Sequence, residues 1–223
     1  MTISEMHSLF RTIGQQKGMQ AIRAILPKEI DDYINAAIFD FVHTILKQTV
    51  NTIPFGSILL PNGLSPYNSI RTLYDETEYL VGKNTWNKQH FELHLSVAGD
   101  TIAAFLGLSV IYEKDGWRYP VRLISPSELA FTLNDWCNRP TRECPIAIIN
   151  SDISTKSDIH LYTDCPNKET NHPYQCIVHT INTPKRVDYE NGVTSDLPAY
   201  VHTEIVELAV QKFFTSIGAT SHN

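Results

Sequence analysis

Apolar residues follow a helical period in two long stretches of the chain. In the first stretch Pro27 takes a first-turn position and Glu29 follows near the positive end of the helix dipole. Apolar side chains then recur at every third or fourth position, which predicts a core helix from Pro27 to about Lys47. The residues of this stripe are Ile30, Ile34, Ala37, Ile38, Phe41 and Ile45.

The second stretch, residues 196–214, predicts the clearest helix of the chain. Asp196 is a candidate cap, and Pro198 fits a first turn, where its missing N–H needs no partner. Two adjacent apolar stripes form a wider arc than a surface helix of a monomer needs. The second stripe lies either in the protein's own core or against a neighbouring subunit, and the pattern leaves both open. The stripes are Val201, Ile205, Leu208, Ala209 and Phe213, then Val206, Val210, Phe214 and Ile217.

Two shorter helices are also predicted. One runs from Ile3 to about Ile13, with a break at Gly14 because glycine weakens a helix interior. The other shows helical spacing at Leu129, Leu133 and Trp136. Ser125 or Ser127 is its candidate cap, and it must end by Pro140.

The middle of the chain is rich in predicted strands. Two of them form a hairpin closed at Asp115-Gly116, and Thr72–Val81 fits a strand or a short helix equally well. Strands flanked by helices, without βαβ alternation, predict an α+β fold. We expect a single domain of residues 1–223, with a mostly antiparallel sheet packed against N-terminal and C-terminal helices. The predicted strands are Phe91–Val97, Leu108–Tyr112, Trp117–Ile124, Pro145–Ile149, Ile159–Thr163 and Tyr174–Ile181.

A long loop punctuated by proline and glycine occupies residues 51–88, with one candidate strand at Phe55–Leu60. Long loops in compact domains commonly carry function or contact a partner. We therefore expect this loop to be an inter-subunit arm.

Charge and composition narrow the function classes. The chain has 18 basic and 24 acidic residues among 223, a net charge of −6, which disfavours a broad phosphate-binding face. The N-terminus lacks the pattern of a secretory signal, and no segment has the roughly 20 apolar residues of a membrane helix. We expect a soluble protein of intracellular origin.

The four cysteines, Cys137, Cys144, Cys165 and Cys176, include no Cys-x-x-Cys pair. We expect free thiols, no metal and no cofactor. A mixed site with His160, His172 and His179 is a less favoured alternative. The enzyme hypothesis that stays open is a small hydrolase or thiol enzyme, in which Cys165 or Cys176 is activated by a nearby histidine. Cys176 and His179 are three apart on one predicted strand and so face opposite sides of the sheet.

Other chemistry-bearing patterns are weaker still. No phosphate-binding glycine loop, Gly-x-Ser-x-Gly elbow or His-Glu-x-x-His pair occurs in the sequence. The acidic run Asp75, Glu76 and Glu78 is typical of a solvated face more than of a cation site. The basic residues Arg139, Arg142, Lys185 and Arg186 are expected to serve solubility or an ion pair across an interface.

Three patches together resemble ring proteins of the head-to-tail assembly of crAss-like bacteriophages. The patches are ILPKEIDDYINAAIFDFV at residues 25–42, VRLISPSELAFTLNDWCNRPTRECPIAII at 121–149, and LPAYVHTEIVELAV at 197–210. The third is the most specific, because it is similar to Leu-Pro-x-x-x-His-x-Glu-Ile-Val-x-Leu-Ala-Val. In the second, four residues separate Arg139-Pro140 from Pro145-Ile146, whereas the family joins them as Arg-Pro-x-Pro-Ile.

The resemblance implies a virion component without enzymatic activity. Such a protein would form a homo-oligomeric ring, dodecameric as the resemblance implies, between the portal and other ring or tail proteins. DNA would pass through the lumen without specific binding, and assembly would take place in the bacterial host cytoplasm. An acidic surface agrees with this role, since like charge opposes adhesion of DNA.

Overall fold

The computed structural model describes residues 1–17, 25–50, 66–81, 90–95, 102–113, 116–151, 157–164 and 173–220. The α+β class predicted from the sequence is confirmed. The expected single domain is organised as two compact units, one formed by Met1–Leu73 with Pro184–Asn223 and the other by Tyr74–Thr183. The candidate strand Phe55–Leu60 and most of the candidate arm, residues 51–88, lie outside the described residues.

Four α-helices occur in the described part of the chain. They are α1 (Ile3–Gln16), α2 (Pro27–Val50), α3 (Leu129–Asn134) and α4 (His202–Thr220). Short 3₁₀ turns occupy Pro66–Ser69, Arg71–Leu73, Pro126–Glu128 and Ala199–Val201. Helices α1, α2 and α4 belong to the first unit, which we call the helical unit, and α3 belongs to the second, the sheet unit.

Helix α1 begins with a capping box and runs past the glycine where a break was predicted. The Thr2 hydroxyl accepts from the Glu5 amide at 3.3 Å, and the Glu5 carboxylate accepts from the Thr2 amide at 2.9 Å. Gly14 lies inside the helix and is buried. The predicted break at Gly14 is therefore wrong: propensity is a weak preference, which packing overrides.

Helices α2 and α4 pack side by side in the helical unit, as their apolar stripes predict. Phe213 of α4 lies edge-on to Tyr33 of α2, with ring centroids 5.3 Å apart, and also contacts Phe10 of α1 at 5.9 Å. Val206 and Val210, members of the second stripe of α4, are fully buried. Burial within the chain thus accounts for much of the wide apolar arc.

The start of α4 differs from the prediction. Pro198 precedes a 3₁₀ turn, Ala199–Val201, and α4 proper begins at His202. Asp196 does not cap this helix, because its carboxylate accepts instead from the Lys185 amide at 3.2 Å. The predicted cap is therefore wrong, and Asp196 fastens the segment that leads into the helix.

The sheet unit contains a seven-stranded sheet in the order β1-β7-β3-β4-β5-β6-β2. All neighbours are antiparallel except β4 and β5, which are parallel. Side chains from one face of β3, β4, β5, β6 and β7 form a single buried cluster. The sheet therefore curls around its own core. The strands are β1 (Tyr74–Leu80), β2 (His90–Leu95), β3 (Ile102–Tyr112), β4 (Arg118–Leu123), β5 (Ile146–Ser151), β6 (Ser157–Tyr162) and β7 (Pro173–Asn182).

Candidate functional site

The connection between β4 and β5, residues 124–145, exposes large apolar side chains. Phe131 is 80% exposed and Trp136 is 78% exposed, and neither α3 nor the 3₁₀ turn before it contributes a buried residue. Helix α3 ends at Asn134, so the prediction that Trp136 belongs to it is wrong. Large apolar patches left exposed to water are typical of surfaces that bind a partner.

Local hydrogen bonds tie parts of this connection to one another. Ser125, one of the two predicted caps, forms a capping box with Glu128 that closes the 3₁₀ turn, whereas α3 itself has no side-chain cap. Asp135 accepts from the Cys137 amide at 2.9 Å and from the Asn138 side chain at 2.5 Å. The hydrogen bond from Asn138 is the largest of the effects that lower the pKa of Asp135. The exposed aromatic residues are therefore presented from a tied loop.

Arg139 stacks on the ring of Trp136. Its guanidinium lies 4.2 Å from the Trp136 ring centroid, which is a cation–π contact. We call Phe131, Trp136 and Arg139 together the aromatic tip. Planar aromatic and guanidinium groups of this kind are enriched among the residues that dominate binding energy at interfaces.

A second surface feature is a groove between α2 and α4 in the helical unit. It has a volume of about 900 Å³. Across it, Lys212 pairs with Asp40, and the Tyr33 and Ser216 hydroxyls hydrogen-bond at 2.9 Å. The apolar part of the lining is Ala36, Phe41, Ile45 and Leu208, and the remaining lining residues are Tyr33, Asp40, Thr44, Glu204, Gln211, Lys212, Thr215 and Ser216.

The sheet unit also holds a polar network around His179 of β7. His179 is only 6% exposed. Its Nδ1 lies 2.8 Å from the Tyr74 hydroxyl, and its Nε2 lies 2.9 Å from the Ser109 hydroxyl. Tyr74 in turn donates to Glu76 at 2.7 Å, and Glu76 pairs with Arg118 at 3.2 Å. Four strands thus contribute to one chain of hydrogen bonds.

The geometry of this network fixes the tautomer of His179. The Glu76 carboxylate can only accept, so the Tyr74 hydroxyl donates its one proton to Glu76. The Tyr74 oxygen must therefore accept a hydrogen bond from His179 Nδ1. Nδ1 therefore carries the proton, and Nε2 accepts from Ser109. Burial lowers the pKa of His179, with the nearby Glu76 carboxylate opposing that shift. The imidazole is therefore neutral near pH 7.

The cysteines that the structure describes differ in their exposure to solvent. Cys176 is fully buried in the sheet core, and burial raises its pKa to about 12. That pKa opposes formation of a nucleophilic thiolate near pH 7. Cys176 belongs to the core cluster, whereas His179 bonds to Tyr74 and Ser109, so the two side chains occupy opposite faces as predicted. Cys165 and His172 lie outside the described residues, and Cys137 and Cys144 are exposed.

The other predicted residues lie apart from one another. His160 is half-buried on β6, and the acidic run Asp75, Glu76 and Glu78 is exposed along β1. Glu76 joins the His179 network, while Glu78 accepts from Gln175. Of the basic residues, Arg142 lies over the Tyr112 ring at 5.4 Å, and Arg186 lies over Phe39 at 5.9 Å.

Among the described residues there is neither a cluster of metal ligands nor a helix suited to crossing a membrane. No group of three or more His, Cys, Asp or Glu side chains there is arranged to hold a metal ion. Among those same residues, no helix combines the length and apolar character that a membrane crossing requires.

Comparison of the chain with known protein families gives no match, and no curated protein matches it either. The aromatic tip and the His179 network therefore rest on their own geometry. Sequence reasoning missed both. The aromatic tip was missed because its apolar spacing resembles that of a core helix. The His179 network was missed because its residues come from four strands that are separated in the sequence. Alternation along β7, with His179 opposite in phase to Cys176, is the signal that could have placed His179 on the polar face.

Proposed function

We propose that this protein is a structural ring subunit of a bacteriophage virion, located between the portal and the tail. The observation that carries the proposal is the aromatic tip, whose two large aromatic side chains are about four-fifths exposed. A tied loop that holds such side chains in water fits a surface that is covered on assembly. The resemblance of residues 25–42, 121–149 and 197–210 to ring proteins supplies the biological setting.

A second feature favours a ring over a symmetric dimer. The aromatic tip and the α2/α4 groove belong to different units, and they differ in shape and chemistry. A chain with two unlike surfaces can assemble head to tail. Such a contact closes into a ring when the rotation between neighbouring copies is a whole fraction of a full turn. The proposed ring has twelve copies, as in the family that the sequence resembles.

The charge of the chain fits a channel for DNA. A net charge of −6 on each copy repels a phosphate backbone and gives no counterion release on contact. DNA would therefore pass without adhering. The protein would act in the virion at the portal vertex, after assembly in the host cytoplasm.

Electron microscopy of the purified protein, alone and co-expressed with the phage portal protein, tests this proposal. Closed rings, or rings seated on the portal, are expected. A folded monomer that stays monomeric at high concentration and ignores the portal would contradict it. Trp136→Ala is the matched variant, since it removes an exposed side chain that supports no core, and Trp117→Ala, also exposed at 72%, is its control.

A second candidate is a serine hydrolase, favoured by the fixed tautomer of His179. Ser109 Oγ would attack an ester carbonyl carbon while its proton passes to His179 Nε2, and that proton would leave with the alcohol. A water activated by His179 would then attack the acyl carbon, which releases the acid and returns the proton to Ser109 Oγ. Hydrolysis of p-nitrophenyl acetate, with an acyl-enzyme burst lost in Ser109→Ala but kept in Cys137→Ser, would support it. Equal rates for parent and Ser109→Ala would remove it.

A further inference from the structure

We infer that the aromatic tip of one copy docks into the α2/α4 groove of the next copy, an inference that rests on the proposed ring. The tip is contributed by the sheet unit and the groove by the helical unit, so the contact is between unlike surfaces. Every copy would then offer a tip to one neighbour and a groove to the other. This arrangement propagates around a ring, whereas contact between two tips would stop at a dimer.

The dimensions of the groove suit the tip. Along α4 the lining runs from Glu204 to Ser216, which corresponds to about 18 Å at the rise of an α-helix. The volume of about 900 Å³ is comparable to that of small-molecule sites, so the groove has room for large aromatic side chains. Ala36 and Leu208, the apolar lining residues that are not buried, supply apolar contact for the rings of Phe131 and Trp136.

Charge also matches between the two surfaces. The charged lining residues are Asp40, Glu204 and Lys212, which sum to a net charge of −1. Lys212 pairs with Asp40, so Glu204 is the carboxylate that gives the groove its sign. The tip brings the Arg139 guanidinium, stacked on Trp136. Asp135, the acid beside it, is engaged by the Cys137 amide and the Asn138 side chain.

Cys137 provides a native probe of this contact, because it is exposed and adjoins Trp136. In a Cys144→Ser/Cys165→Ser background, Gln211→Cys places a second thiol in the groove lining. Mild oxidation of the assembled protein should give a ladder of covalent multimers on a non-reducing gel. The matched control is Glu207→Cys, which is exposed on α4 but is not among the groove residues. It should give no ladder, and Cys137→Ser should abolish the ladder of the Gln211→Cys protein.

The outcomes separate this inference from the proposed function. Rings without a ladder, equal ladders from Gln211→Cys and Glu207→Cys, or disulfide dimers alone would overturn the docking and leave the ring. Crosslinking of Gln211→Cys only to co-expressed portal protein would also overturn it, since the groove would then hold another partner. Absence of any assembly in the parent would overturn the proposed function itself.

A charge exchange gives an independent measurement. Arg139→Glu should raise the concentration needed for assembly by about tenfold, the size of a moderate interface contribution. Adding Glu204→Arg should recover most of that loss if Arg139 faces the groove. Failure of the double variant to recover, while thermal unfolding shows that it is folded, would contradict the docking.

Discussion

His202 donates a hydrogen bond from its Nε2 to the carbonyl oxygen of Leu197 at 2.9 Å. A carbonyl only accepts, so Nε2 carries the proton. The bond ties the first residue of α4 to the loop residue five positions earlier, and both residues are buried. This hydrogen bond gives a structural reason for the Leu-Pro-x-x-x-His spacing, because it joins the first and last residues of that motif at the start of the helix. The same motif is the most specific part of the family resemblance.

Ile205→Asp should unfold the helical unit or prevent assembly. Ile205 is fully buried in α4, so the variant loses aliphatic packing and places a carboxylate where it has no hydration. The expected loss in the free energy of unfolding is about 3 kcal/mol or more. Thermal unfolding measures it. Glu207→Ala, on the exposed face of the same helix, should change stability by no more than about 0.5 kcal/mol. The reverse order of effects would mean that the wrong face of α4 is assigned to the core.

Asn35→Ala should release the segment that precedes α4 from α2. The Asn35 side chain donates to the Val187 carbonyl at 3.1 Å and accepts from the Val187 amide at 2.8 Å. Removing both bonds leaves two backbone groups without these partners, at an expected cost of about 1–3 kcal/mol. Urea unfolding checks it, with the exposed Asp32→Ala as control. Equal stability of the two variants would show that Asn35 does not hold this segment.

The sequence predicted the elements better than it predicted the surfaces. Helices α2 and α4 were found because their apolar stripes recur over many turns, and local spacing decides such a pattern. Glu128 closes the capping box on Ser125 three residues away, which is also a local relationship. Trp136 was misassigned to α3 because the apolar spacing continues past Asn134, whereas Asp135 has an extended backbone that ends the helix.

The His179 network illustrates the same limit. Tyr74 and His179 are far apart in sequence, separated by 105 positions, and are brought together by the pairing of β1 with β7. Alternation gives the phase of each strand but not which strands become neighbours. Asp196 failed as a helix cap for a related reason, because its donor is the amide of Lys185, 11 positions earlier in the sequence.

The stability of the protein should fall with acidification because of His179. Its folded pKa lies below the ordinary value of 6.5, so in acid the unfolded chain takes up a proton that the folded chain resists. The free energy of unfolding should therefore decrease as the pH falls from 6.5 towards the lowered pKa of the folded state. Glu76, whose pKa is lowered chiefly by the Tyr74 hydrogen bond, adds a loss of the same sign in more acidic solution.

Chemical unfolding at about pH 7.5 and pH 5.5, on either side of the ordinary histidine pKa, isolates this effect. His179→Gln should show a smaller change between the two conditions than the parent. His43→Gln, which alters an exposed histidine on α2, should keep the parent's change. An unchanged pH response in His179→Gln would show that the network does not shift the titration of His179.

Thiol reactivity should distinguish the cysteines. In a Cys165→Ser variant, Cys137 and Cys144 should react rapidly with Ellman's reagent because both are exposed. Cys176 should react only after denaturation, since it is buried and its pKa is raised to about 12. Rapid titration of all three thiols in the folded protein would contradict the placement of Cys176 in the sheet core and restore it as a nucleophile candidate.

The proposal that this chain builds a ring is tested most directly by the mass of the purified protein in solution. Sedimentation velocity over a wide range of concentration, alone and with portal protein, measures that mass without a surface or a stain. We predict a discrete closed species of twelve copies of the 25.3 kDa chain, which Trp136→Ala shifts to the monomer while Trp117→Ala does not. A parent protein that remains a folded monomer at every concentration, with portal present or absent, would contradict the account.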